Sequence, residues 1–156
     1  MNKQTRTMKS CCLAISMVAV LLLTDGCKEY VVTPPPIPSL SFKSTDMSIT
    51  ESGTYYVEIE ASETVGAYGY PVYLRLEGDA VVGEHFSHSH PVYEDSDGNV
   101  LLQAMVAQGS IQTALVVRPI ANKGPAELVV HIMPDQERNR YTVAKAQAVA
   151  TVHFTN

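Results

Sequence analysis

From residue 40 onward, apolar and polar side chains alternate along the chain with a period of two. Val57 and Ile59, for example, alternate with Glu58 and Glu60, and similar segments of strand length follow. This period gives each segment one apolar face and one solvent-exposed polar face, as in half-buried antiparallel strands. We expect strands over 40–44, 47–50, 55–61, 72–77, 100–107, 112–120, 126–133 and 147–154.

Turn-forming residues separate these segments, and none of the segments has a helical stripe of helix length. The turns combine Gly with Ser, Asp, Asn or Pro, as in Asp97-Gly98-Asn99 and Gly124-Pro125. Seven or eight short strands with such turns are typical of a sandwich. We therefore predict an all-β chain with a single immunoglobulin-like antiparallel β-sandwich over residues 40–156.

The first 26 residues have the layout of a secretory signal. Lys3, Arg6 and Lys9 precede an uncharged run of thirteen residues at 11–23. A membrane-spanning helix needs about 20 apolar residues, whereas the core of a signal peptide is shorter. We predict a signal peptide over 1–26 in preference to a buried first helix.

The end of this run resembles the lipobox of bacterial lipoproteins. Residues 23–27 read LTDGC, with a small residue before the cysteine, although Thr24 and Asp25 depart from the family pattern. The resemblance implies that Cys27 becomes an acylated N-terminus, and two or more acyl chains anchor a protein stably. Cys11 and Cys12 fall inside the signal, so Cys27 has no partner within the processed chain. A free thiol and an intermolecular disulfide are the alternatives.

The predicted location is the cell envelope, as an outer-membrane lipoprotein that faces the periplasm or the surface. Lys28-Glu29 weakly resembles a surface-export signal, and YVVTPPPIPS follows at 30–39. Because proline fixes φ and lacks an N–H, we expect an extended spacer there or a proline-protected edge strand. The predicted division is a signal at 1–26, a lipidated cysteine with linker at 27–39, and one domain at 40–156.

The charge of the processed chain limits its partners. Residues 27–156 hold 8 basic and 15 acidic side chains, a net charge of −7 with His neutral. Such a surface repels phosphate backbones, and the sequence has no basic patch, so nucleic acid is not an expected partner. The expected partners are the lipid bilayer, through acylated Cys27, and an unidentified protein or glycan.

The order of short motifs in residues 40–156 resembles the Calx-beta family. The matching segments are ITESG at 49–53, AVVGEHF at 80–86, VAQGS at 106–110 and AVATV at 148–152. The resemblance implies an immunoglobulin-like sandwich with Glu51 and Glu84 at acidic positions of the family. Calcium-binding members use further carboxylates after the strand that follows the central turn, where residues 121–125 hold a lysine and no acid. Two carboxylates are too few for a site of six to eight oxygens, so we expect the fold without that calcium site.

The most distinctive local composition lies at 84–99. This segment contains His85, His88 and His90, followed by Asp95 and Asp97. Imidazole and carboxylate groups bind zinc and other divalent ions, and strand alternation puts the second and third histidines on one side. The alternative is a polar surface hairpin with its turn at 97–99. We favour the hairpin without a cofactor and keep zinc or calcium binding as the second hypothesis.

The sequence contains no catalytic motif, and its remaining candidate site is a group of tyrosines. The sequence has neither a nucleophile elbow nor a glycine-rich phosphate loop, so we expect a non-catalytic protein. A tyrosine has a large apolar ring with a polar tip, which suits a protein or glycan contact surface as well as ordinary strand faces. The predicted function is a membrane-tethered binding or structural module, with a candidate contact surface at Tyr55, Tyr56, Tyr68, Tyr70 and Tyr73.

Overall fold

The computed structural model describes residues 36–50, 52–64, 66, 68–121, 123–136 and 138–155. Strands dominate this part of the chain, and its helical structure is a short 3-10 helix at Lys145–Gln147. Across these ranges, no helix is long and apolar enough to cross a membrane. The predicted signal peptide and Cys27 lie outside the described residues.

The described strands form two sheets. The strands are β1 (Ser39–Phe42), β2 (Asp46–Ile49), β3 (Tyr55–Ala61), β4 (Tyr70–Gly78), β5 (Phe86–Ser87), β6 (Val92–Glu94), β7 (Val100–Val106), β8 (Gln112–Pro119), β9 (Ala126–Met133), β10 (Thr142–Val143) and β11 (Val149–Phe154). One sheet has the strand order β10-β1-β3-β8-β5 and the other has the order β2-β11-β9-β4-β7-β6. The eight predicted strands are all present, with ends shifted by at most two residues, and the predicted all-β sandwich is confirmed.

Two strand pairs differ from the purely antiparallel arrangement that the sequence predicts. β1 runs parallel to β10, and β2 runs parallel to β11. The chain passes from one sheet to the other in the short segment between β1 and β2. Parallel and antiparallel ladders share the period of two, so the alternation could not distinguish them.

The core lies between the two sheets. Val57 and Ile59 of β3 face it from one side, and Val72 and Leu74 of β4 face it from the other, all at most 1% exposed. Burial of side chains of this size contributes about 1.5–3 kcal/mol each. The alternate residues of β4 and β7 therefore lie on the outer face of the six-stranded sheet, where the candidate site is found.

A glycine allows β4 and β9 to remain paired at the end of β4. Gly78 has a φ of +99°, and a Cβ at this position would overlap the backbone carbonyl oxygen of Glu127. The pairing continues to Gly78 opposite Leu128. Only glycine fits this approach without moving one of the two strands.

Candidate functional site

The histidines at 84–99 do not form a metal site with the aspartates that follow them. The ring centroids of His88 and His90 are 6.5 Å apart, and His85 Nδ1 accepts a hydrogen bond from the Val81 amide at 3.0 Å. Within the described ranges, no group of three or more Cys, His, Asp or Glu side chains is placed to hold a metal ion. The ligands of the zinc hypothesis are therefore not brought together.

His90 instead links the two sheets. Its Nε2 accepts a hydrogen bond from the Val116 amide of β8 at 2.8 Å, and its Nδ1 lies 3.3 Å from the Gln103 carbonyl of β7. Because a carbonyl can only accept, Nδ1 carries the proton and the ring is neutral. Burial lowers the pKa of His90, while the hydrogen bond to Gln103 opposes this shift. Both ring nitrogens are occupied, so neither is available to a metal.

The turn between β6 and β7 is the polar hairpin turn that the sequence predicts. Asp95 Oδ1 accepts hydrogen bonds from the amides of Asp97 (2.9 Å) and Asn99 (2.8 Å), and Asp95 Oδ2 accepts one from Asn99 Nδ2 (2.9 Å). Gly98 supplies the positive φ of +80° that the turn needs. The Asn99 side chain and these backbone amides hold the pKa of Asp95 below its usual range. This turn forms one wall of a cleft.

A buried carboxylate shapes the opposite wall, in the loop after β9. Asp135 is 3% exposed and is the one buried charged residue in the described part of the chain. It accepts hydrogen bonds from Arg140 Nε (2.6 Å), Arg140 Nη2 (3.3 Å), and the amides of Arg140 (3.0 Å) and Arg138 (3.3 Å). Burial raises the pKa of Asp135, but the bonds from Arg140 and Arg138 outweigh it and lower that pKa overall. The Asp135 carboxylate therefore holds the backbone of its own loop in place.

Tyr141, at the end of the loop that follows β9, stabilises that loop through its hydroxyl. Its hydroxyl donates to the Met133 carbonyl at 2.8 Å and accepts from the Tyr73 amide at 3.3 Å. Burial raises the pKa of Tyr141 to about 12. Its ring stacks on Tyr70 with the centroids 5.6 Å apart. The hydroxyl spans the start and end of the loop, as in the tyrosine corner of immunoglobulin-like sandwiches.

Between these two walls lies a cleft of about 130 Å³ on the outer face of the six-stranded sheet. Tyr73 and Tyr93 are half-buried in it, with their ring centroids 5.0 Å apart and the rings tilted by 37°. Leu101 is 4% exposed, although it faces away from the main core. The described residues that line the cleft are Tyr73, Tyr93, Asp95, Ser96, Asp97, Asn99, Leu101, Met133, Pro134, Asp135 and Gln136.

The five tyrosines of the predicted contact surface do not share one surface. Tyr73 enters the cleft, and Tyr70 is buried against Tyr141. Tyr55 and Tyr56 lie on β3 in the other sheet, and Tyr68 is 86% exposed in the loop before β4. The positions differ because β3 and β4 belong to different sheets, and because Tyr70 and Tyr73 are three residues apart on β4 and so face opposite sides of the sheet. The partner of Tyr73 is Tyr93, which the sequence reasoning did not select.

Among the other predicted positions, the aspartates line this cleft and Glu84 does not. Glu84 is exposed in the turn before β5. Glu51 and Cys27 lie outside the described residues. Asp95 and Asp97, proposed as metal ligands, do line the cleft. Asp135 and Leu101 were missed, although two adjacent leucines at 101–102 break the alternation, and both are buried on opposite faces of β7.

The comparisons give one structural neighbour. No family model matches the chain, and no curated protein matches it. A solved structure of the N-terminal domain of PorA is similar at 12% identity and a TM-score of 0.40, covering 74% of this chain and 96% of that one. The resemblances to lipoprotein signals and to Calx-beta domains remain predictions.

Proposed function

We propose that this chain is a cell-envelope lipoprotein, held on the bilayer by acylated Cys27, whose β-sandwich is a non-catalytic module that binds a protein or a glycan. The observation that carries the binding role is the cleft between the 95–99 turn and the 134–140 loop. Its half-buried tyrosine pair and buried leucine floor form an apolar surface surrounded by polar side chains. This is the usual composition of a binding pocket.

The rigidity of both walls supports recognition. Each wall is held by a carboxylate that bonds its own loop, Asp95 on one side and Asp135 on the other. Ordering a flexible surface on binding costs about 0.5–1.5 kcal/mol for each side chain that is immobilised. A preformed pocket avoids this cost. No group in the described cleft is arranged as a nucleophile with a base, so we propose binding in preference to catalysis.

The tether is tested by intact mass spectrometry of the protein extracted from the membranes of a bacterium that processes lipoproteins. We expect a chain that begins at Cys27 and carries the additional mass of acyl groups. A chain that begins elsewhere, or an unmodified Cys27, would contradict the tether. A Cys27→Ser variant is expected to leave the membrane fraction.

The binding role is tested with the full chain and immobilised cell-envelope fragments. We expect Tyr73→Ala to reduce retention at least tenfold, because this side chain forms half of the tyrosine pair. Tyr56→Ala is the matched control, since Tyr56 is 55% exposed on the other sheet. Equal retention of wild type and Tyr73→Ala would remove the cleft from the proposed function.

A further inference from the structure

The side chains of the cleft limit the charge of its ligand. The described lining residues include Asp95 and Asp97 but no lysine, arginine or histidine. The charge of the third carboxylate, Asp135, is balanced by Arg140. Arg140 also bonds the Tyr73 side chain, but its charge is already paired with Asp135. A phosphate, sulfate or uronic acid would therefore meet net negative charge from Asp95 and Asp97, at a cost in desolvation and repulsion, so the cleft disfavours an anionic ligand.

The tyrosine pair provides an apolar surface of a particular shape. Tyr73 and Tyr93 are tilted by 37° with centroids 5.0 Å apart, so together they form a bent aromatic wall. An aromatic face is electronegative, and it attracts the weakly positive C–H groups on the flat side of a sugar ring. Met133 and Leu101 continue the apolar lining below them.

Polar groups with unused hydrogen-bonding capacity surround this wall. Among the described residues, the Ser96 hydroxyl, the Asp97 carboxylate and the Gln136 amide, all on exposed residues, show no side-chain hydrogen bond or ion pair. A sugar hydroxyl both donates and accepts, so a mixture of carboxylate, amide and hydroxyl partners matches a polyol. The combination of a flat apolar side with a ring of hydroxyls is characteristic of a pyranose.

A peptide backbone fits this place less well. Recognition of an extended peptide by strand addition needs a strand with an open edge. β4 and β7 beneath the cleft are paired on both sides, because β4 lies between β9 and β7 and β7 lies between β4 and β6. β6, which carries Tyr93, is the edge strand of the described sheet, but its three residues offer only a very short ladder to a peptide. Only side chains face the ligand at this position. The cleft, at about 130 Å³, has room for little more than one sugar ring.

We propose that the cleft binds one neutral sugar unit of a glycan, packed on the Tyr73 and Tyr93 pair and hydrogen-bonded by Asp97, Ser96 and Gln136. This assignment rests on the proposed function and adds the ligand class to it. The sugar ring lies on the outer face of the six-stranded sheet, and the rest of the glycan extends into solvent. Uronic acids are disfavoured by the carboxylates.

The test is calorimetric titration of the full chain in a detergent without a sugar headgroup. The probes are neutral tetrasaccharides of glucose, mannose and N-acetylglucosamine, the anionic tetragalacturonate, and a lysine-containing tetrapeptide. We expect at least one neutral tetrasaccharide to bind, with tetragalacturonate at least tenfold weaker. Asp97→Ala is expected to weaken the neutral ligand at least tenfold without affecting folding, because the residue is exposed.

Tyr93→Ala should have a similar effect, and Glu84→Ala and Tyr68→Ala are the matched controls away from the cleft. Neutral-sugar binding that Asp97→Ala and Tyr93→Ala leave unchanged overturns the assignment, as does tighter binding of tetragalacturonate. Peptide binding that the cleft variants abolish, without sugar binding, overturns the sugar assignment and leaves the proposed binding function standing. If no probe binds and envelope-fragment retention is also unaffected by Tyr73→Ala, both fail.

Discussion

Replacement of Asp135 by asparagine is the sharpest test of how the cleft is built. The change preserves side-chain volume but removes the charge that faces Arg140 and puts an amide NH₂ where one carboxylate oxygen accepts hydrogen bonds. Of the two carboxylate oxygens of Asp135, Oδ2 accepts two hydrogen bonds, from Arg140 Nε at 2.6 Å and from the Arg140 amide at 3.0 Å. Whichever way the new amide points, it loses at least one acceptor and leaves the guanidinium without its counter-charge.

The expected loss follows from the burial of the two partners. Removal of one member of a fully buried ion pair costs about 3–5 kcal/mol. The Asp135 side chain is 1% exposed, but that of Arg140 is 24% exposed, so water partly compensates the stranded guanidinium. We therefore expect Asp135→Asn to lower the free energy of unfolding at pH 7 by about 2–3 kcal/mol.

The assay is urea unfolding followed by far-UV circular dichroism and tyrosine fluorescence, since the chain has no tryptophan. With a slope near 1.5 kcal/mol/M, the midpoint should fall by about 1.3–2 M. Asp97→Asn, on the opposite wall and exposed, is the control and should change the free energy by less than about 0.5 kcal/mol.

The pH dependence provides a second check of the same reasoning. The folded pKa of Asp135 is lowered, so its stabilising effect is complete above the unfolded pKa of about 3.9 and is lost as the pH falls through the lower folded value. The difference between wild type and Asp135→Asn should therefore be constant from pH 7 to pH 5 and shrink below pH 4. A loss under about 1 kcal/mol at pH 7, or a difference that persists unchanged at pH 2, would refute the account.

Three further predictions concern the frame around the cleft. Because the pKa of His90 is lowered in the fold, its neutral ring should stabilise the fold by about 0.5–1 kcal/mol above the unfolded pKa of about 6.5, and this effect is lost as the pH falls. His90→Ala should therefore reduce the drop in melting temperature between pH 7.5 and pH 5, and an unchanged drop would contradict this role. Gly78→Ala should cost about 2 kcal/mol or more in urea unfolding, against little change for Gly53→Ala, and equal midpoints would contradict the proposed overlap with the Glu127 carbonyl. Phe86→Ala should cost about 3–5 kcal/mol in the same assay, because the side chain is fully buried and stacks on another ring; a cost below about 1.5 kcal/mol would show that the site collapses to fill the space.

The fold could be predicted because its signal is local. The alternation at 55–61 and 126–133 reports burial residue by residue, and these two strands match the sequence prediction at both ends. Strand direction and neighbours are set by contacts between distant segments, so the parallel pairing of β1 with β10 was not available from the same pattern. The two-residue strands β5 and β10 were not predicted either, since two residues are too few to show a period.

The site was only partly predictable for the same reason. Composition selects Tyr73, Asp95 and Asp97, but the opposite wall of the cleft, at 133–136, comes from a distant part of the chain. Asp135 lies in the polar segment PDQERNR at 134–140, whose composition is typical of a solvent-exposed turn. Only the structure shows that the Arg140 side chain folds back and donates a hydrogen bond to Asp135. His90 looks like a metal ligand in sequence, and its actual partners are backbone groups 13 and 26 residues away. Backbone partners leave no mark on the sequence.

The pairing of the first strands with the last ones has a consequence for when the sandwich can form. Ser39 pairs with Thr142 and Asp46 pairs with Thr151, separations of 142 − 39 = 103 and 151 − 46 = 105 residues. Contacts this distant in sequence slow folding, because the closure entropy is lost before the contacts form. During synthesis, β1 can pair with β3 early, but its other neighbour β10, and β11 as the neighbour of β2, become available only with the last part of the domain. Both sheets therefore gain their outermost described pairings only after the C-terminal strands have been made.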